Sequence, residues 1–215
     1  MSPAAAPNQL SRTATAWIAI VTAAAWLVTT LAGLNDQAAI SLGFIPGRWS
    51  GIPLLGPAVP AFLTPLSATL VHAGLLHLGL NLLILLWCGF QVERVLGARG
   101  LILLYVVSAF AAAAVQWLAG PHAAAPMVGA SGAISGIVGA FALTFGQQKQ
   151  LVSSRSLNRL LNALWLLAAW IVLQLMTGAL AGFQGVLVAT PAHVGGFLSG
   201  LLLQRPLLMW RYRKA

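Results

Sequence analysis

The chain has 215 residues, of which 60% are hydrophobic and only 6% are charged. Soluble domains average about 45–50% apolar and about 25% charged residues, so this chain lacks the polar side chains that a soluble surface requires. Its formal net charge is +9, but the basic residues stand in small groups between long apolar runs, which is typical of membrane topology signals. The composition predicts an integral membrane protein in contact with a lipid bilayer, and it argues against nucleic acid as a partner.

Six apolar runs are long enough to cross a bilayer, since about 20 apolar residues in a helix span its hydrocarbon core. The runs are continuous and do not alternate with polar residues, which favours helices. We therefore predict an all-α membrane protein, a bundle of six transmembrane helices. The predicted spans are 15–34, 70–90, 100–119, 130–146, 160–181 and 192–210.

The positions of the basic residues predict the orientation of these spans. Ten of the eleven Lys and Arg residues fall on one side of the six-span map, and Arg48 alone falls on the other. Short cytoplasmic loops are enriched in basic residues. Both termini are therefore expected in the cytoplasm, as a tail at 1–14 and a basic tail at 211–215.

The segment 35–69, between the first two predicted spans, is apolar but contains five prolines. Proline interrupts helices, and irregular backbone is not stable against lipid unless protein covers it. We predict a long interfacial segment that packs against the helices. A plain connector is the alternative, although structureless loops of this length are uncommon in compact domains.

Polar side chains within the predicted spans are few, and because such groups are costly in a membrane, each is a candidate functional residue. Three groups remain once the obvious span ends and loops are set aside; they lie near the starts of spans 2, 4 and 6, which the predicted topology brings to the same side. The groups are His72, His77 and Asn81; Ser131 and Ser135; and His193.

Span 4 begins with a serine among small residues, GASG at Gly129 to Gly132. Glycine lets the backbone turn tightly there, and the free N–H groups at a helix start favour negative charge. Span 6 carries His193 near its start, with Gly196 on the same face. Imidazole is the usual base for a serine hydroxyl, so Ser131 and His193 are predicted as nucleophile and base. A packing serine and a core histidine are the alternative interpretations.

Span 2 offers hydrogen-bond donors for the same site. His77 and Asn81 are four residues apart, so they share a helix face, and both can donate to an oxyanion in a water-poor environment. They could instead tie helices together, and for His72 that structural role is the more favoured one.

Acidic residues are too scarce for other common protease mechanisms. Asp36 and Glu93 are the two acids of the sequence, one in the segment 35–69 and one after span 2. A catalytic pair of aspartates and an HExxH zinc site are therefore excluded. We predict no metal, no cofactor, and a Ser-His dyad without a third member unless Asp36 folds into the site.

Together these motifs resemble the rhomboid family of intramembrane serine proteases, in its minimal six-helix bacterial form, over roughly residues 15–210. Four ordered motifs are a far stronger signal than one GxSG alone. The motifs are GASG at Gly129 to Gly132, the polar pattern at His72, His77 and Asn81, AHVGG at Ala192 to Gly196, and VERVLG at Val92 to Gly97.

The resemblance implies a protease domain at 15–210, in a bacterial inner membrane, that cleaves transmembrane segments of other membrane proteins. Ser131 would attack the scissile carbonyl and His193 would take its proton. The oxyanion would be held by the Ser131 N–H together with His77 and Asn81. The family admits its substrate helix laterally, past the fifth span. The supporting residues would be His72, Gly129, Gly132, Ser135 and Gly196.

Two departures from the family's pattern stand out. The family's Trp-Arg pair before span 2 would fall at Leu63 and Thr64, so the means of anchoring the segment 35–69 is not evident. The family's aromatic residue four positions after the serine, which stacks on the histidine, is Ser135 here. We hypothesise that Ser135 orients His193 by a hydrogen bond, directly or through one water. The alternative is that its hydroxyl bonds its own helix backbone.

Two other functions are compatible with a helical membrane protein. An inactive rhomboid relative that binds clients typically lacks the serine or the histidine, and both are present here. A small transporter or channel would be favoured by inverted repeats or by broken spans in corresponding halves, and the sequence shows neither.

Overall fold

The computed structural model describes residues 13–54, 56–145, 153–180 and 189–213. Within these ranges the regular elements are helices, apart from one isolated β-bridge between Phe44 and Met127. Two 3-10 turns, Ala61–Leu63 and Ala68–Leu70, flank the short helix Thr64–Ser67 and precede the longest helix, Leu75–Ala119. The helices are α1 (Ala14–Leu31), α2 (Asn35–Leu42), α3 (Pro46–Trp49), α4 (Thr64–Ser67), α5 (Leu75–Ala119), α6 (Ser131–Phe145), α7 (Arg155–Leu180) and α8 (Thr190–Arg211).

The longest element, α5, consists of two helical arms joined at Gly97. Its 45 residues would reach about 68 Å as one straight helix, roughly twice the thickness of a hydrocarbon core. Gly97 breaks the helix with φ 75° and ψ 164°, a left-handed φ that glycine adopts at little cost. The arms, 75–96 and 98–119, correspond to the second and third predicted spans.

The two arms of α5 run antiparallel, as their contacts with α6 show. His77, near the start of the first arm, lies against Gly129, just before α6. Ala112, near the end of the second arm, lies against Gly132 at the start of α6. Both outer ends of α5 therefore meet the start of α6, and the Gly97 turn lies at the opposite end of the bundle.

The opposite end of the bundle is where α1 begins and α8 finishes. The Glu93 carboxylate accepts hydrogen bonds from the first residues of α1, and the Arg211 guanidinium donates to the backbone carbonyl of Arg94 at 2.7 Å. Helix α8 runs parallel to α6, because His193 meets Ser131 near their starts and Gln204 bonds Thr144 further along.

Helix α6 lies at the centre of the bundle, and every residue from Ser131 to Ala140 is buried. Its glycines permit this position. A Cβ added at Gly139 would collide with the backbone carbonyl of Phe197 on α8, and one at Gly136 would collide with Ser108 on α5. Close approach of this kind is what small residues allow between membrane helices.

The helical bundle has the surface of a membrane protein. Three helices in the described ranges are long and apolar enough to cross a bilayer, namely Ala14–Leu31, Leu75–Ala119 and Arg155–Leu173. Large apolar side chains point outward from the bundle, among them Leu31, Trp165 and Leu202. The all-helical membrane fold is thereby confirmed. The number of six crossings stays a prediction, and the predicted ends of spans 4 and 5, at 146 and 181, lie outside the described residues.

The segment between α1 and α5 is divided into short pieces, and its longest described helix, α2, has eight residues. Its anchoring comes from residues that the sequence analysis did not assign to it. The Arg48 guanidinium donates to the Val59 carbonyl at 2.7 Å, and the Trp49 indole N–H donates to the Ala61 carbonyl at 2.9 Å. Arg48 and Trp49 thus tie α3 to the loop at residues 59–61, and the Thr64 hydroxyl donates to the same Ala61 carbonyl at 2.6 Å.

Candidate active site

The central feature of the site is a direct contact between Ser131 and His193. The Ser131 Oγ lies 2.8 Å from the His193 Nε2. Both side chains are buried, with 8% and 3% of their surfaces exposed. Ser131 is the first residue of α6 and His193 lies in the first turn of α8, so the pair joins the starts of two parallel helices.

Glycines on the facing sides of α6 and α8 set this distance. A Cβ at Gly196 would collide with the Gly132 carbonyl oxygen, and a Cβ at Gly200 would collide with that of Gly136. The two backbones are therefore in contact one turn below the Ser-His pair and again one turn further. Any larger residue at these positions would move His193 away from Ser131.

The turn before α6 presents backbone N–H groups at the serine. Gly129 has φ 111°, a conformation that favours glycine. The first intrahelical bond runs from the Ile134 N–H to the Ala130 carbonyl, so the N–H groups of residues 131 to 133 precede the helix ladder. Such groups, with the helix dipole, stabilise negative charge that develops near the serine.

His77 and Asn81 lie at the same end of the bundle. The His77 ring packs on Gly129, where an added Cβ would come within 2.6 Å of the ring Cε1. Asn81 is fully buried, and its Nδ2 donates to the His77 carbonyl at 2.8 Å. A carboxamide carries two N–H donors, so one remains for another acceptor.

His72 connects the outer segment to the serine turn. Its Nε2 accepts a long hydrogen bond of 3.4 Å from the Ala130 N–H. The Gly129 N–H donates to the Ala68 carbonyl at 2.9 Å, and the rings of His72 and His77 lie 5.0 Å apart. The segment before α5 therefore fixes the backbone on which Ser131 stands.

Ser135 has partners other than His193. Its hydroxyl donates to the Ser131 carbonyl at 2.7 Å and accepts from the Trp170 indole N–H, also at 2.7 Å. The backbone bond is the alternative that the sequence analysis had left open. Trp170 lies on α7, and its ring meets the ring of His193 edge-on, with centroids 6.2 Å apart and an angle of 68°.

Sequence reasoning missed Trp170, because nothing in the spacing of an apolar span marks one tryptophan among others. The one available signal was indirect. Ser135 occupies the position of an expected aromatic residue, and that substitution implies that another side chain packs beside His193.

Several buried polar atoms at this end have no hydrogen-bond partner in the part of the chain that the structure describes. They include the Nδ1 atoms of His72 and His193 and the Oδ1 of Asn81. Within the same ranges, no three His, Cys, Asp or Glu side chains are grouped so that they could hold a metal ion.

Comparison with known proteins gives a consistent result. The rhomboid domain family matches residues 61–210. RHOMBOID-like protein 5 of Arabidopsis thaliana is 32% identical over 90% of this chain and 68% of its own length. RHOMBOID-like proteins 4 and 1 of the same plant are 31% and 32% identical, over 67% and 62% of this chain but only 34% and 31% of their own lengths. The chain belongs to the rhomboid family.

Proposed function

We propose that this protein is an intramembrane serine endopeptidase that cleaves transmembrane segments of other membrane proteins. The observation that carries the proposal is the 2.8 Å contact between Ser131 Oγ and His193 Nε2 at the buried ends of two glycine-packed helices. Family membership supports the reaction class, and a hydroxyl within reach of an imidazole supplies the nucleophile and the base.

The proposed reaction begins when Ser131 Oγ attacks the carbonyl carbon of the scissile peptide bond while His193 Nε2 takes the hydroxyl proton. The carbonyl oxygen becomes an oxyanion at the start of α6. As the tetrahedral intermediate collapses, His193 returns the proton to the leaving amine and Ser131 remains acylated. Water, deprotonated by His193, then hydrolyses the ester and restores the serine.

We assign three groups to the stabilisation of the oxyanion. They are the Ser131 N–H, the His77 ring on Gly129 and the buried Asn81 carboxamide. Donors fixed before the reaction stabilise developing charge more effectively than water that must reorient. His72, Gly129, Gly132 and Gly196 support the arrangement by fixing the backbone around it.

A dyad without an acid is favoured by where the two acidic residues lie. Glu93 is bound to the start of α1 at the opposite end of the bundle. Asp36 stands exposed in the first turn of α2. In this arrangement neither carboxylate orients the His193 Nδ1, so another group must hold the ring.

The substrate class follows from the location of the pair. A peptide bond in a membrane helix is shielded by its own hydrogen bonds, so a substrate segment must unwind before Ser131 can reach it. The entry route that we propose passes α7, whose outward face exposes Trp165 and Met176. Residues 181–188, which follow α7, lie outside the described ranges.

We also propose six crossings, with both termini in the cytoplasm of a bacterial cell and the protein in its inner membrane. The start of α1 and the end of α8 lie at the same end of the bundle, which supports an even number of crossings. Reporter fusions at each terminus test this topology. A C-terminal fusion active only outside the cytoplasm would overturn it.

The function is tested by incubating the purified protein in detergent or liposomes with a single-span test substrate. We expect cleavage within the substrate's transmembrane region by the wild type and none by Ser131→Ala. Binding without cleavage by the wild type would instead indicate an inactive relative. Cleavage by Ser131→Ala would exclude the serine mechanism.

A further inference from the structure

The Ser135 hydroxyl links α7 to the nucleophile turn. It donates to the Ser131 carbonyl at 2.7 Å and accepts from Trp170 Nε1 at 2.7 Å. Ser135 is fully buried, and Trp170 is 4% exposed. A buried indole N–H that lacks an acceptor is costly, so this bond fixes the position of the tryptophan ring.

The ring that is fixed in this way contacts His193. The two rings meet edge-on at a centroid distance of 6.2 Å, within the range in which aromatic pairs attract one another. In the described ranges the Nδ1 of His193 has no hydrogen-bond partner. The hydrogen bond to the Ser131 hydroxyl and the edge contact with the Trp170 ring are two contacts that bear on the orientation of the imidazole plane.

The small side chain at position 135 leaves the place beside His193 to a ring from α7. A Cβ at Gly196 would lie only 3.1 Å from the Ser135 Cβ, so α8 passes directly over this residue. The Trp170 ring of α7 lies beside His193, where the family's aromatic residue at position 135 would stack. A small hydroxyl residue fits beneath α8 and can reach Trp170 instead.

We propose that Trp170 is the positioning residue for the base His193, and that Ser135 acts by holding Trp170 rather than by contacting His193. The inference rests on the proposed function, because it assigns roles within that reaction. The order of contacts is Ser131 carbonyl, Ser135 hydroxyl, Trp170 indole and His193 ring. Through this series of contacts, α7 and the turn before Ser131 both determine the orientation of the imidazole ring.

The test uses three single variants, a double variant and a matched control. Trp170→Phe keeps a ring but removes the N–H, and Ser135→Ala removes its acceptor. Each should lower kcat about two- to tenfold, the effect of one hydrogen bond, with KM unchanged. Trp170→Leu removes the ring and should lower kcat on the order of a hundredfold, as expected for a misplaced base. Trp87→Phe changes an exposed tryptophan on the first arm of α5 and should leave kcat unchanged.

The double variant Ser135→Ala/Trp170→Phe separates a shared bond from two independent effects. If the two residues act as one unit, the double variant should be no slower than the slower single variant. The rate of acylation by a small fluorophosphonate is measured in parallel, because this probe does not need a substrate helix to pass α7. A fall in both rates supports positioning of His193.

Three outcomes would overturn the inference. Effects of Trp170→Phe and Ser135→Ala that multiply would mean that they do not share a bond. Altered cleavage with unaltered probe labelling would assign Trp170 to substrate entry. If folded Trp170→Leu protein is labelled by the fluorophosphonate at the wild-type rate, the ring does not position the base. Wild-type protein that neither cleaves nor labels would remove the proposed function, and this inference with it.

Discussion

The two ends of the helical bundle both bury polar groups, but the hydrogen bonding of these groups differs between the ends. At one end, the Glu93 carboxylate accepts hydrogen bonds from the Ala14 N–H at 2.8 Å and from the Thr15 N–H and hydroxyl at 2.9 and 2.6 Å. At the other end, buried atoms of His72, His193 and Asn81 have no partner in the described ranges.

The difference is the one expected between a structural cluster and the proposed reactive one. The Glu93 carboxylate caps the first turn of α1, whose N–H groups lack partners in their own helix, and its bonds are complete. Buried groups left without partners are costly, and they persist where a substrate or a proton supplies the missing bond. The end with Ser131 has that character.

The largest effect is expected for the base. His193→Ala should lower turnover on the order of a millionfold, because removing the serine or the histidine alone disables the pair in serine proteases. The protein should remain folded, since α8 keeps its glycine contacts with α6 and its buried Phe197. Turnover in the test-substrate assay is the measurement, and wild-type cleavage by a folded His193→Ala protein would place the base elsewhere.

The next effect concerns the oxyanion donors. Asn81→Ala and His77→Ala should each lower turnover by about 100- to 1,000-fold, the range for loss of one such donor. The measurement is kcat, with melting in detergent as the control for folding. If a folded variant cleaves at the wild-type rate, the substituted residue has a structural role. It would then resemble Glu93 at the other end of the bundle.

A third prediction addresses the helix contact that sets the Ser-His distance. Gly196→Ala places a Cβ against the Gly132 carbonyl, so α8 must shift and turnover should fall by about a hundredfold, the cost of a displacement near 1 Å. Gly79→Ala is the matched control, because a Cβ there has no atom within 4 Å. Equal activity of the two variants would show that the spacing of α6 and α8 does not limit the reaction.

The smallest effect on turnover is expected at the structural end. Glu93→Gln removes the charge that accepts three bonds from α1 and should lower the free energy of unfolding by about 1.5–3 kcal/mol, while kcat per folded molecule stays the same. Thermal unfolding in detergent measures the first quantity. Asp36→Asn, at an exposed position, is the control. A loss of turnover without a loss of stability in Glu93→Gln would contradict the assignment of this end to structure.

Much of the candidate site could be predicted because its residues stand in short sequence motifs. A glycine beside a serine predicts a tight turn. A glycine three residues after a histidine predicts a close contact between helices. The arms of α5 were predicted as two spans because VERVLG interrupts an apolar run, and Gly97 is where the chain turns.

The remainder could not be predicted because it depends on contacts between distant helices. Trp170 and Ser135 are 35 residues apart and meet only when α7 packs on α6. Arg48 and Trp49 stand before the position at which the family's anchoring pair was sought, and their partners are backbone carbonyls, which leave no trace in sequence. Glu93 likewise caps α1, whose first residue, Ala14, lies 79 residues earlier in the sequence.

The most direct test of the central claim, that His193 activates Ser131, is a labelling experiment. Wild-type protein and His193→Ala are exposed to a fluorophosphonate, and the modified residue is identified by mass spectrometry. The geometry predicts that the wild type is labelled at Ser131 and that His193→Ala is not labelled. Labelling of another residue in the wild type, or undiminished labelling of Ser131 in His193→Ala, would contradict the claim.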